Sequence, residues 1–173
     1  MSKRTRQYIG ILAAVVAYYV IHEGAHLLYA IAFGVFKQMN FIGLGIQIDI
    51  YAENLTNTQL GLFCLAGPFA ALVAGYLLTL FAEKICEVKS KLFRAVTYYI
   101  TIALLLIDPL YLCLLCVLFG GGDMNGISLL CSRWAARCFF GVLLLVNGFL
   151  FAKRILPVYK KSFSSNSNSL HGM

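Results

Sequence analysis

Two histidines four residues apart, His22 and His26, flank Glu23 in the pentapeptide His22-Glu23-Gly24-Ala25-His26. Positions i and i+4 share one face of a helix, so both imidazoles can reach a single metal ion. In this spacing the glutamate is the acid that activates water at the metal. The cluster lies inside an otherwise apolar run, residues 8–36. Ionisable groups in a membrane segment are costly and are functional candidates by default. A lone histidine would favour the plainer reading, a polar packing residue bonded to a neighbour, but the constellation favours a metal.

Two histidines do not complete a catalytic zinc site, which usually has three protein ligands and one open position. Candidates for the third ligand are few. His171 lies in a polar tail, Glu83 and Glu87 accompany lysines at a segment end, and Asp49 and Glu53 lie in a connecting region. Asp108 and Asp123 remain. Asp123 is the stronger candidate, because Gly120-Gly121-Gly122 before it lets the backbone approach closely and turn the carboxylate inward. Asp108 precedes Pro109 and suits a cap on a broken helix. It is also the alternative ligand, or an outer partner that orients a histidine through its free ring nitrogen.

The elements that must position these groups are membrane helices. The chain has 173 residues, 61% hydrophobic and 12% charged, with mean hydropathy +0.82. A soluble domain is nearer half apolar and about a quarter charged. Repeated apolar runs long enough to cross ~30 Å of hydrocarbon imply an integral membrane protein. The expected fold is an all-α polytopic bundle of about four transmembrane helices. They fall at residues 8–33, 59–82, 93–119, with Asp108-Pro109 as a candidate break, and 134–156. Trp134 reads as an interfacial anchor, Asn147 as interhelical glue, and Tyr18, Tyr19, Tyr98 and Tyr99 as packing. Residues 162–173, with Ser-Ser-Asn-Ser-Asn-Ser, are expected to form a disordered polar tail beyond a single domain at 1–161.

A short extended element is expected after the first helix. Ile42, Leu44, Ile46, Ile48 and Ile50 alternate with smaller or more polar residues, a period of two that indicates a strand. Either it dips its isoleucines into the headgroups, or Ile46 and Ile48 belong to a strand that pairs with an extended substrate.

The net charge of +7 does not point to nucleic acid, because the basic residues flank apolar runs. There they act as topology signals and contacts for anionic lipid in the bilayer. With four spans, one side carries Lys3, Arg4, Arg6, Lys84, Lys89, Lys91, Arg94, Lys153, Arg154, Lys160 and Lys161, and the other only Lys37, Arg133 and Arg137. This asymmetry predicts a multi-pass protein of the cell membrane with both termini cytoplasmic. The six cysteines do not form a disulfide framework, and Cys113 and Cys116 read as small packing residues on an apolar helix.

The chain resembles the site-2 protease family of intramembrane zinc metallopeptidases. Three marks carry the resemblance: His22-Glu-Gly-Ala-His26 in a membrane helix, Leu65-Ala66-Gly67-Pro68 in the second segment, and Gly122-Asp123 after the third. The first is the specific one, and together they span roughly residues 8–126. The resemblance implies a metallopeptidase-like transmembrane domain in which His22, His26 and Asp123 bind Zn2+ and Glu23 is the base. The family's aspartate usually sits in an Asn-Pro-containing segment ending Leu-Asp-Gly, where this chain has Asp108-Pro109 and Gly122-Asp123-Met124. Better-known members also turn the histidine end toward the cytosol, opposite to the charge count here.

The expected activity is hydrolysis of peptide bonds in membrane-spanning protein substrates, with accessory membrane subunits as further partners. The alternatives are a scaffold without catalysis, which would not need Glu23, and a small metal or proton carrier using His22, Glu23, His26 and Asp108 as a polar track.

Overall fold

The computed structural model describes residues 1–42, 45–120 and 122–165, and in it the long apolar runs are helices. Helix α1, Lys3–Ala32, opens on Ser2, whose side chain accepts from the Thr5 N–H at 3.1 Å. After Gly34, at φ 66°, the chain forms an antiparallel hairpin of β1, Phe36–Ile42, and β2, Gly45–Ile50. Helix α2, Asn57–Leu80, starts on a capping box made by Thr56 and Gln59. Short α3, Ala82–Glu87, leads to α4, Lys91–Cys113, and then to α5, Gly122–Ile127. Helix α6, Arg133–Leu150, passes through a π turn, Phe151–Ile155, into α7, Leu156–Ser165.

Among the described residues, four helices are long and apolar enough to cross a membrane: α1, α2, α4 and the continuous rod Arg133–Ser164. The 24 residues of α2 rise about 36 Å, enough to cover the hydrocarbon. Helices α2 and α4 are the more buried pair, while α1 and α6 turn Leu12, Val16, Val20, Leu145 and Phe149 outward. Small residues set the close approaches. A Cβ on Gly10 of α1 would lie 2.5 Å from Tyr99 of α4, and one on Gly75 of α2 would lie 2.9 Å from Leu105.

The candidate break at Asp108-Pro109 does not occur; α4 runs through both and ends at Cys113. Pro109 has no N–H for the Leu105 carbonyl four residues back. Asn147 of α6 supplies one, its Nδ2 donating to that carbonyl at 2.8 Å, while its Oδ1 accepts from the Tyr76 hydroxyl of α2 at 2.7 Å. Asn147 is fully buried. The residue expected to be interhelical glue joins three helices and fills the acceptor that the proline leaves open.

Ile46, Ile48 and Ile50 do form a strand, β2, but Ile42 belongs to its antiparallel partner, which begins upstream at Phe36. Ile48 packs into the core with Ala30, Val35 and Phe63 instead of dipping into headgroups, and Ile46 and Ile50 are half-buried. Gly43 and Leu44 lie outside the described residues. Residues 162–165 of the expected tail are helical, since α7 runs through Ser165. Arg94 explains this: its Nη1 donates to the Ser162 carbonyl at 2.9 Å, and its guanidinium stacks on the Phe163 ring. Residues 166–173, with His171, lie outside the described residues. The six cysteines are unpaired, with Cys64 and Cys116 buried. Cys116 is buried and bonds to the Leu112 carbonyl, and the Cys113 thiol would contact any Cβ added at Gly141.

Candidate metal centre

Helix α1 places His22 and His26 one turn apart on its inner face, both buried, and their Nε2 atoms lie 3.3 Å from each other. Asp123 reaches the same point from the first turn of α5. Its Oδ2 is 3.2 Å from His22 Nε2 and its Oδ1 is 3.5 Å from His26 Nε2. One ligand atom from each of the three residues falls within 4.8 Å of the other two. Asp123 is therefore brought to the histidines as expected, and Asp108 stands behind them.

Two glycine crossings hold α5 in place. A Cβ on Gly126 would collide with the Cys64 thiol of α2, and one on Gly61 of α2 would lie 2.5 Å from Leu130. Helix α5 therefore lies directly against α2, with Asp123 one turn before the crossing. Gly120, at φ 85°, makes the turn that leads into α5. The Gly120 carbonyl accepts from the Tyr111 hydroxyl at 2.8 Å, which ties the loop to α4.

Each imidazole is fixed through its other nitrogen. His26 Nδ1 lies 2.8 Å from the Phe63 carbonyl of α2. A carbonyl only accepts, so Nδ1 carries the proton and Nε2 of a neutral ring is a lone pair. His22 Nδ1 faces Asp108, 3.2 Å from Oδ1 and 3.3 Å from Oδ2. The Tyr18 hydroxyl donates to Asp108 Oδ1 at 2.6 Å. Histidines that ligate metals almost always donate their second ring N–H to a carboxylate or a carbonyl in this way.

These contacts test whether a metal fits. With both Nδ1 atoms donating outward, two nitrogen lone pairs and a carboxylate converge on one point. Asp123 supplies the carboxylate, with one oxygen facing each Nε2 atom. Converging electron-pair donors offer a cation a common point. Two nitrogens and a carboxylate suit zinc or a similar divalent ion. The space is also kept clear: a Cβ on Gly67 would collide with His26 Nε2 and lie 2.8 Å from His22 Nε2. The Ala66-Gly67-Pro68 motif therefore has its glycine where α2 passes the two histidines.

Glu23 stands beside this cluster and faces the hairpin. Its Oε2 accepts from the backbone N–H of Ile48 at 3.3 Å. Beside it, a cleft of ≈ 420 Å³ between α1 and α4 is lined by Tyr18, Tyr19, His22, Glu23, Asp108 and Asp123, with Tyr111 and Ile107 among its walls. Of the two isoleucines singled out in the sequence, Ile48 reaches the site through its backbone, and its side chain is in the core. Ile46 pairs with Phe41 of β1.

Sequence reasoning took Tyr18 for a packing residue, whereas it bonds to Asp108 and lines the cleft. Its position four residues before His22, on the same helical face, was the available signal. The Phe63 carbonyl had no signal, because backbone groups leave no trace in residue type. No protein-family model, curated protein or solved structure matches this chain.

Proposed function

We propose that this chain is an intramembrane zinc endopeptidase, similar to the site-2 protease family, that hydrolyses peptide bonds of membrane-spanning proteins. The observation that carries the reading is the convergence of His22, His26 and Asp123 beside Glu23, in a cleft among helices fit to cross a membrane. In this reading the protein sits in the cell membrane with both termini cytoplasmic.

His22, His26 and Asp123 hold the ion, and Asp108 with the Phe63 carbonyl keeps both rings turned toward it. Zinc, when bound, supplies Lewis acidity toward a carbonyl and brings the pKa of water toward neutrality. Glu23 takes the proton from water and passes it to the leaving amine. The substrate must be extended, because a helix keeps its carbonyls bonded. The edge of β2 away from β1 has no strand partner among the described residues. A substrate strand lying along it takes the Ile48 N–H with a backbone carbonyl, which releases Glu23 for proton transfer.

The Glu23→Gln variant tests this. The carboxamide keeps size and can still accept from Ile48, but it is no base. Zinc stays bound while cleavage of a membrane-embedded substrate, found by screening single-span proteins, falls by several orders of magnitude. Full cleavage by Glu23→Gln sinks the mechanism. A variant that loses metal instead would favour the carrier reading.

A further inference from the structure

A second cavity, ≈ 550 Å³, opens at the other end of the bundle, between the N-terminal turns of α1 and α4 and helix α7. Lys3 and His22 are 19 residues apart on α1, so the two sites are separated by about 28 Å. Lys3, Arg6, Lys91 and Lys160 line this cavity, and Leu156 and Phe163 supply apolar wall. No carboxylate lines it, and the ion pairs among the described residues lie elsewhere, at His22, His26 and Lys37.

Four cations spread over a solvated face would need no explanation. Here they converge on one concavity, at the end of helices that cross an apolar phase. A fifth charge reinforces them. Arg94 is 3% exposed and stacks on Phe163, and among the described residues its Nε and Nη2 have no hydrogen-bond partner. Buried guanidinium without a counter-charge is costly, and an anion nearby offsets that cost. Of the lining residues, the apolar Leu156 is itself exposed. The cavity therefore joins basic and apolar lining at the end of a bundle of long apolar helices.

We propose that this cavity binds an anionic phospholipid of the surrounding bilayer. Its phosphate lies among Lys3, Arg6, Lys91 and Lys160, and its first acyl carbons run along Leu156 and Phe163. Basic pockets between membrane helices recognise phosphate headgroups in this way. A zwitterionic lipid would bring its ammonium against four like charges, and a soluble phosphate would leave the apolar wall bare. The proposal goes beyond the protease reading and does not depend on it.

The test uses the full chain in neutral detergent, stripped of lipid and offered phosphatidylglycerol or phosphatidylcholine with matched chains. Native mass spectrometry counts the lipid retained. Phosphatidylglycerol should be retained about tenfold more than phosphatidylcholine. Lys3→Gln/Lys91→Gln/Lys160→Gln should lose that preference at unchanged helicity. The same triple to arginine should keep it, and so should Lys37→Gln/Lys84→Gln/Lys153→Gln, which removes equal charge elsewhere. Equal retention of the two lipids, or equal loss in both glutamine triples, would overturn the proposal. Displacement of the lipid by inorganic phosphate at comparable concentration would also overturn it, by making the site one for free anions.

Discussion

Asp108 accepts from Tyr18 at 2.6 Å and faces His22 Nδ1 at 3.2 Å, so one buried carboxylate ties a tyrosine to a candidate metal ligand. It lies behind the imidazole, on the side away from Asp123. That separates two acids whose roles the residue types alone leave open. Asp108→Asn keeps an acceptor for one donor but loses the charge that favours the His22 Nδ1 proton. Metal affinity, read by competition with a chelator, should fall about 10- to 100-fold. Asp123→Asn should cost more, because it removes a ligand. A greater loss in Asp108→Asn would exchange the two assignments. Tyr18→Phe should have a smaller effect of the same sign.

Gly67 gives a test that changes no ligand. Its hydrogen faces both histidine Nε2 atoms, so a methyl group there occupies the space in which the donors converge. Gly67→Ala should reduce metal occupancy strongly while helicity persists. Alanine favours helix more than glycine does, so local propensity cannot cause the loss. Full occupancy in this variant would mean that the histidines turn away from α2 when they bind.

The third prediction concerns the scaffold. Asn147→Leu removes the donor to the Leu105 carbonyl and the acceptor for Tyr76, leaving two buried polar groups unpaired. Stability to denaturation in detergent should fall by about 1–2 kcal/mol. An unchanged midpoint would show that the carbonyl left open by Pro109 finds another donor.

The fold was legible where hydrophobicity alone decides, and less so where the chain closes on itself. The four spans follow from the length of apolar runs, and the His22–His26 face and the strand at Ile46 and Ile48 from periodicity, which records which face is buried. The strand's partner was missed because Phe36–Ile42 mixes Lys37, Gln38 and Asn40 with apolar residues in no period of two. The sequence leaves a break at Pro109 open because a proline ends a helix only when nothing fills the orphaned carbonyl, and Asn147, which fills it, lies 38 residues further on. Asp123 was legible through its glycines. The place of Asp108 behind His22 was one of several options until α4 was packed against α1. The helix at Ser162 and Phe163 rests on Arg94, which counts as a topology signal in sequence but is buried beneath α7.

Orientation in the membrane is open to a direct test. Lys3 and Lys160 line one cavity, so the start of α1 and the end of α7 share one end of the bundle. The basic residues gathered there predict that this end is cytoplasmic. A reporter fused at the C-terminal end should be inaccessible from outside the cell. External accessibility would reverse the assignment and turn the histidine end toward the cytosol.

The central claim is that His22, His26 and Asp123 form one zinc site, and the metal content of the purified protein tests it most directly. Protein prepared without chelators should carry about one zinc per chain, the stoichiometry that two imidazoles and one carboxylate suit. The His22→Ala/His26→Ala variant, prepared alongside and equally helical, should carry none above background. Wild-type protein without zinc, or zinc retained when both histidines are gone, would contradict the account.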